Sequence, residues 1–405
     1  MQWGIDVERT MLLIGFALIA VVGSILLRLY RQPPPRRPLS SCLEMESTEM
    51  LKLASEVSRM LVERQARLRS EPCVVVAAAD KLQVLADTLA PESGTAPSEV
   101  IQRCCSEVLP YISAHDHPRF LAYVPGSTVW PGVLADYLTA GYNVHQGTWI
   151  GSSGPSVVEL CVLRWISEWI GMPPTASGAF TSGGCAANIN GLLAAREAAG
   201  HPEHGVVYLS EFAHLALTRG AHIIGVRRAD VRLVPTDAHG QMDPQALAEM
   251  IGADRANGRS AIAVCATAGT TGAGLVDPLN AIADVCAKQG VWLHVDAAFG
   301  GFAVLCDEGR QLLQGLERAD SVAVDAHKML FQPYEAGCIV VRDVRNLVAA
   351  FSESPDYLHD TQSINELNGK PAPNARESDH CPDALPIRPL TWAMDCMTSR
   401  TRPSQ

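Results

Sequence analysis

Residues 321–343 read SVAVDAHKMLFQPYEAGCIVVRD. From Ser321 to Ala326 apolar and polar residues alternate, the period of a β-strand. The run ends on His327 and Lys328, an imidazole and an amine side by side, and a second apolar run, 338–341, follows after a loop. An ammonium at the mouth of a core strand costs desolvation unless it is paired or used.

Working outward, helices and strands alternate between about residues 155 and 345. A helix is expected to start at Pro155, with Ser153 or Gly154 as its cap. Another opens at Gly183-Gly184 and runs through AANINGLLAAREA. Strands are expected at 206–209, 231–234, 261–266, 291–295, 321–324 and 338–341. This alternation predicts an α/β fold with a mostly parallel sheet covered by helices on both faces. Ligands in such folds sit at the carboxyl ends of the strands.

The chemistry-bearing residues fall at those ends. VWLHVDAAFGG (291–301) brings Asp296 to a strand end, followed by small residues that leave room for a flat ligand. TSGGCAANINGLLAAR (181–196) sets Thr181, Ser182, Gly183 and Gly184 at a helix N-terminus, where free N–H groups and the helix dipole favour phosphate. His214 follows one strand, Thr270 and Thr271 follow another, and Lys328 follows the last. Pyridoxal phosphate asks for this set: a lysine for its aldehyde, a carboxylate for its ring nitrogen and a flat side chain, here His214, over the ring. Alone, a strand-end lysine is solvated, a strand-end aspartate caps a turn and a glycine pair marks a tight turn. His294 reads as structural, on the face opposite the neighbours of Asp296, and Trp165 and Trp169 as core or interface residues.

The 405-residue chain has a net charge of −11, which argues against nucleic acid as a partner. Its 12 cysteines form no CxxC pair and several lie in apolar runs. That is the pattern of a reducing compartment, with neither a disulfide framework nor a zinc site indicated. His115 and His117 lack further ligands at matching spacing, so no metal is expected.

The N-terminal region has its own character. Residues 10–27, TMLLIGFALIAVVGSILL, carry no charge, and Arg28, Arg31, Arg36 and Arg37 follow. The length approaches the roughly 17–25 residues that span a bilayer. No small-x-small cleavage site follows, so an uncleaved single-pass anchor is expected over 10–28, with the catalytic region cytoplasmic by the positive-inside rule. The alternative is a start codon assigned too far upstream, which leaves a cytoplasmic protein. Residues 1–9 form a tail before the anchor, 29–44 a Pro/Arg-rich linker, 45–120 a helical segment, 121–350 the cofactor-binding large domain and 351–405 an irregular tail.

The runs TSGGCAAN, EFAH, GTTGAGLVDPL, HVDAAFGG and DAHKMLFQPYEAGCIVVRD resemble the group II pyridoxal-phosphate-dependent amino acid decarboxylases. HPRFLAYVPG (117–126) and GTWIGSSGPSVVEL (147–160) do so as well. The resemblance covers roughly residues 45–360, and the paired HVDAA and HK motifs are specific. It implies the type I aminotransferase fold, working as a homodimer, and decarboxylation of an L-amino acid with aromatic substrates favoured. It also implies that Lys328 holds the cofactor aldehyde as an imine, Asp296 binds the ring nitrogen and His214 stacks on the ring. Ala298 would pack on the other face. Gly184, Cys185 and Asp325 fall at phosphate-holding positions, Thr271 at a ring-contacting one and His327 beside the imine; serine is commoner where Cys185 stands.

The family continues with a tyrosine-bearing loop and a small C-terminal domain. Here no tyrosine follows Tyr357, and the tail has little apolar periodicity, so that domain is expected to be missing or truncated. Two other readings share the motifs. One is a lyase like sphingosine-phosphate lyase, which also joins a membrane anchor to this cofactor. The other is a catalytically impaired, membrane-tethered scaffold.

Overall fold

The computed structural model describes residues 45–146 and 149–351. The expected anchor and linker, and the tail beyond Phe351, lie outside the described residues. Among the described residues no helix is long and apolar enough to cross a membrane. Contacts group the chain into two units, residues 1–113 and 114–405.

The described part of the first unit is helical. Its longest helix, Ser47–Arg67, has no buried residue, and Met50, Val57 and Leu61 are exposed along it. Helices Ala79–Ala86 and Pro97–Arg103 follow, the second with proline in its first turn, where its missing N–H costs nothing.

Among the described residues the second unit is built on a seven-stranded sheet. Its strands are β1 (Ser177–Thr181), β2 (Gly205–Ser210), β3 (Val231–Val234), β4 (Ser260–Thr267), β5 (Trp292–Asp296), β6 (Ser321–Asp325) and β7 (Gly337–Val341). Their order across the sheet is β1-β7-β6-β5-β4-β2-β3. Strands β2 to β6 pair in parallel, while β7 runs antiparallel between β1 and β6. The sheet is therefore mixed but mostly parallel. All residues of β2, β6 and β7 are buried, as helix-covered strands require.

Two large apolar clusters lie against the sheet. One joins Leu163 and Ile166 of a long helix to Phe302, Val322 and Val340. The other joins Leu192 and Leu217 to Val207 and Ile262. Each fully buried aliphatic side chain stabilises the fold by about 1.5–3 kcal/mol. The long helix is bounded at Trp149–Ile170 but leaves helical geometry at Ser152 (φ −158°, ψ 40°). Its regular turns therefore begin close to Pro155, where the sequence places the start.

After β1 the chain must reach β2, four strands beyond β7. It does so through the helix Gly184–Ala198, which packs across β7, β6, β5 and β4. This crossover brings the N-terminus of that helix to the carboxyl ends of β5 and β6.

Candidate functional site

Neighbouring strands β5 and β6 both end on a carboxylate, Asp296 and Asp325. Beyond β6 the chain makes one helical turn, Ala326–Met329, so Lys328 stands on that turn and not on the strand itself. Its Nζ lies 2.9 Å from Oδ2 of the buried Asp325, and the lysine side chain is 23% exposed, open to a ligand. His327 Nε2 lies 3.5 Å from the same oxygen. Its Nδ1 accepts the N–H of Ala336 at 3.0 Å, and its ring packs on Tyr334 with centroids 4.4 Å apart. Burial pushes the Asp325 carboxyl up, but the His327 hydrogen bond and the Lys328 ammonium prevail and hold it below the usual carboxylate range. Asp325 is thus an anion committed to the amine. That sets it apart from the phosphate-holding role implied by the resemblance, because an anionic carboxylate repels phosphate.

Asp296 is in the opposite situation. It is 6% exposed and receives two neutral donors, the N–H of Ala298 at 3.2 Å and Nδ2 of Asn188 at 3.0 Å. Burial raises its pKa above the ordinary aspartate value, against the pull of Ala298, Lys328, Asn188 and His214. Among the described residues it forms no ion pair. A buried carboxylate in that state is a strong acceptor for a cationic N–H.

The helix Gly184–Ala198 starts beside these groups. Gly183 precedes it with φ 150°, a backbone conformation that L side chains avoid. A Cβ on Gly184 would sit 2.9 Å from both Ala298 Cβ and Asp325 Oδ2, so the helix start presses directly on the floor of the site. Cys185, next in the first turn, is exposed and free. Gly126, from the HPRFLAYVPG run, closes on the Lys328 backbone: a Cβ there would lie 2.2 Å from the lysine carbonyl oxygen.

His214 caps the helix Leu215–Ile223, its Nδ1 accepting the N–H of Ala216 at 3.3 Å. That bond leaves Nε2 to carry the ring proton and fixes the plane of a half-buried imidazole. Thr271 lies in an exposed turn, whereas Thr270 is buried with its hydroxyl accepting the N–H of Leu275 at 3.0 Å. The structure thus gathers Lys328, Asp296, Asp325, His327, Ala298 and Gly184, links His214 to Asp296 electrostatically, and leaves Cys185 and Thr271 on its exposed side.

His294 lies two residues before Asp296 on β5, hence on the same face as Asp296 and opposite its neighbour Val295, as the sequence reading places it. Its Nε2 meets Asn188 Oδ1 at 2.8 Å, and Asn188 in turn holds Asp296. Asn188 and Thr267 are the residues that sequence reasoning missed. Thr267 pairs with Asp296 in the sheet, and its buried hydroxyl has no hydrogen-bond partner among the described residues. A polar residue on the inward face of an otherwise apolar crossover helix was the available signal for Asn188.

The model of the family described as the pyridoxal-dependent decarboxylase conserved domain matches residues 80–376. This chain belongs to that family. An aromatic-L-amino-acid decarboxylase of Bacillus atrophaeus is 36% identical over 327 residues, 80% of this chain and 68% of the relative. An L-2,4-diaminobutyrate decarboxylase of Rhizobium meliloti is 36% identical over 276 residues, 68% of this chain but only 55% of the relative. The crystal structure of Oryza sativa TDC with PLP and tryptamine superposes with a TM-score of 0.74 at 26% identity, over 81% of this chain and 70% of that one.

The cofactor of this pyridoxal-dependent decarboxylase is pyridoxal phosphate, and the residues present fit it. Lys328 is an accessible amine, Asp296 a buried acid with only neutral donors, and the glycine-lined helix start offers free N–H groups. Two buried oxygens, Asp325 Oδ1 and Thr267 Oγ1, have no partner among the described residues, so the site has polar capacity to spare.

Proposed function

We propose that this protein removes carbon dioxide from an L-amino acid, with aromatic substrates favoured, and leaves the amine. The observation that carries the reading is the placement of an accessible Lys328 and a buried Asp296 at the ends of adjacent parallel strands. The aromatic preference is supported by the likeness to the Bacillus aromatic-L-amino-acid decarboxylase and to the Oryza sativa TDC structure with PLP and tryptamine.

When bound, pyridoxal phosphate supplies a conjugated ring into which the electrons of the broken Cα–carboxylate bond flow. Lys328 would be the amine that holds the cofactor's aldehyde carbon, and Asp325 orients that amine. Asp296 would accept the ring N–H, its buried charge favouring the protonated ring. His214 would cover one ring face and Ala298 the other, while Thr271, in its exposed turn, would contact the ring edge. The N–H groups of Gly184 and Cys185 and the dipole of their helix would hold the phosphate. His327, fixed by Ala336, would stand beside the aldehyde carbon.

Borohydride reduction of the cofactor-loaded protein followed by peptide mapping tests the assignment. The pyridoxyl group is expected on Lys328, and its appearance on another lysine would remove the central claim.

We further propose a homodimer, supported by the helix Trp130–Tyr142, which exposes Leu134, Tyr137, Leu138 and Tyr142 and has a single charged residue, Asp136. We retain the sequence-based organisation as a proposal: anchor 10–28, linker 29–44, helical segment 45–120 and cofactor-binding domain 121–350. The uncharged run and the arginines after it support the anchor. Carbonate extraction is expected to leave the protein in the membrane pellet; recovery in the supernatant would refute the anchor.

A further inference from the structure

We propose that His294 is a positioning residue: through Asn188 it fixes which end of an amide faces Asp296, and so keeps that carboxylate an acceptor for the cofactor's ring nitrogen. The inference rests on the role of Asp296 given above.

Four hydrogen bonds run in series through the core. Trp292 Nε1 donates to Ser321 Oγ at 2.8 Å. Ser321 Oγ and His294 Nδ1 are 2.8 Å apart, and His294 Nε2 and Asn188 Oδ1 also 2.8 Å. Asn188 Nδ2 donates to Asp296 Oδ2 at 3.0 Å. The ends of the series fix its direction, because an indole only donates and an ionised carboxylate only accepts. With its NH2 turned to Asp296, Asn188 offers its carbonyl to the imidazole, so Nε2 must carry the ring proton. Nδ1 is then an acceptor, which Ser321 satisfies by donating its hydroxyl hydrogen. Every bond in the series then runs in one sense, from the indole to the carboxylate, with Ser321 accepting from Trp292 and donating to His294.

The opposite tautomer would break this order. With the proton on Nδ1, Nε2 would need a donor, Asn188 would turn over, and its carbonyl oxygen would face Asp296. Two acceptors in contact force the carboxyl to take up a proton, and a protonated Asp296 no longer favours a protonated ring.

The imidazole is enclosed to hold this arrangement. His294 and Ser321 are fully buried and Asn188 nearly so. Burial pulls the His294 pKa down to about 3, which keeps the ring neutral. The crossover helix has glycine at 191, where a Cβ would lie 2.6 Å from His294 Nδ1. A histidine that only filled space would be a costly choice here, since an apolar side chain needs no partners. Its two ring nitrogens instead join β6 to the helix, and Asn188 joins the helix to Asp296.

The test is ¹⁵N NMR of full-length protein loaded with pyridoxal phosphate labelled at the ring nitrogen, with the dissociation constant measured by spectrophotometric titration. The wild-type shift is expected to be that of a protonated ring. His294→Leu should move it toward the unprotonated value and weaken cofactor binding by about ten- to a hundredfold. His294→Gln keeps an N–H toward Asn188 and should restore the shift, with binding within about threefold of wild type. Asn188→Ala should reproduce the leucine phenotype without disturbing the ring pocket, and it carries the test if His294→Leu does not fold. An unchanged ring shift in both His294→Leu and Asn188→Ala, or a glutamine variant as impaired as the leucine one, would overturn the inference. Asp296→Asn is the control. If it moves the shift and His294→Leu does not, only the inference falls. If it leaves the shift unchanged, or the wild type binds no cofactor, the reading of the site falls with it.

Discussion

Two regions of the sheet bury acids, and they treat them in opposite ways. At the β3 edge, Asp254 is held by Arg232 in two hydrogen bonds of 2.7 and 3.0 Å and by the Tyr208 hydroxyl at 3.0 Å. Asp230 beside it is paired with Arg227 at 2.6 Å and with Arg259. Burial pushes both carboxyls up, yet the guanidinium partners outweigh it and both stay below the ordinary range. At the end of β5, Asp296 has only an amide and a backbone N–H, and its pKa is raised. The chain brings its own cations where an acid is part of the scaffold. At Asp296 it supplies neutral donors alone, which under the proposed function leaves the positive charge to arrive with the cofactor.

The largest expected effect breaks the β5 side of this contrast. Asp296→Asn should lower the decarboxylation rate by roughly a hundredfold or more, because a buried charge at the ring nitrogen is worth several kcal/mol in the transition state. The same variant should leave the melting temperature of the ligand-free protein unchanged or higher, since it removes a poorly compensated buried charge. A nearly unchanged rate would make Asp296 a structural cap. Next in size, Asp254→Ala should destabilise the protein by about 2 kcal/mol, less than a fully buried pair because Arg232 is partly solvated. Chemical denaturation gives the stability, and the rate per folded molecule should be unaltered. A rate that fell with stability intact would erase the distinction between the two regions.

The smallest effect is a difference in pH dependence. Asp230 and Asp254 are depressed, so their stabilisation is present above the unfolded value of about 3.9 and lost as pH falls through their folded values. Asp296 is raised, so its favourable contribution is present below about pH 3.9 and lost as pH rises through its folded value. The stability gained by ligand-free Asp296→Asn should therefore be larger at pH 7 than at pH 4. Denaturant midpoints at the two pH values measure it, and equal differences would contradict a raised pKa.

Much of this was legible in the sequence, for reasons tied to particular residues. Strands β2 to β7 announce themselves because buried strands are short, mostly apolar or alternating runs bounded by turn residues. Strand β1, SGAFT, was not legible: it is short, begins with small residues, and is a strand because β7 pairs with it. Asp296 and Lys328 stood out through order and position along the chain. Asn188 did not, since its role depends on a crossover helix meeting β5 across 108 residues of sequence. The hydrogen-bond partner of His294 was hidden for the same reason. Period-two alternation places the histidine on a face but does not say what the facing helix carries. Asp325 was read through the resemblance as a phosphate holder, and only the 2.9 Å approach of Lys328 shows where its charge is committed.

The antiparallel insertion of β7 has a consequence for how the protein is made. Strand β1 is translated early in the large unit, yet its hydrogen-bonding partner in the sheet is β7, with Ser177 opposite Val341. A nascent chain can pair β2, β3 and β4 while synthesis continues, because their partners lie close behind them in sequence. The start of the crossover helix is held by β1, so its seat waits for β7 to leave the ribosome. Until then the glycine-rich turn, Asp296 and their apolar surroundings are open to water and to other chains. The pocket is thus the last part of the sheet to close, and nascent chains stalled between β6 and β7 should be the species most dependent on chaperones.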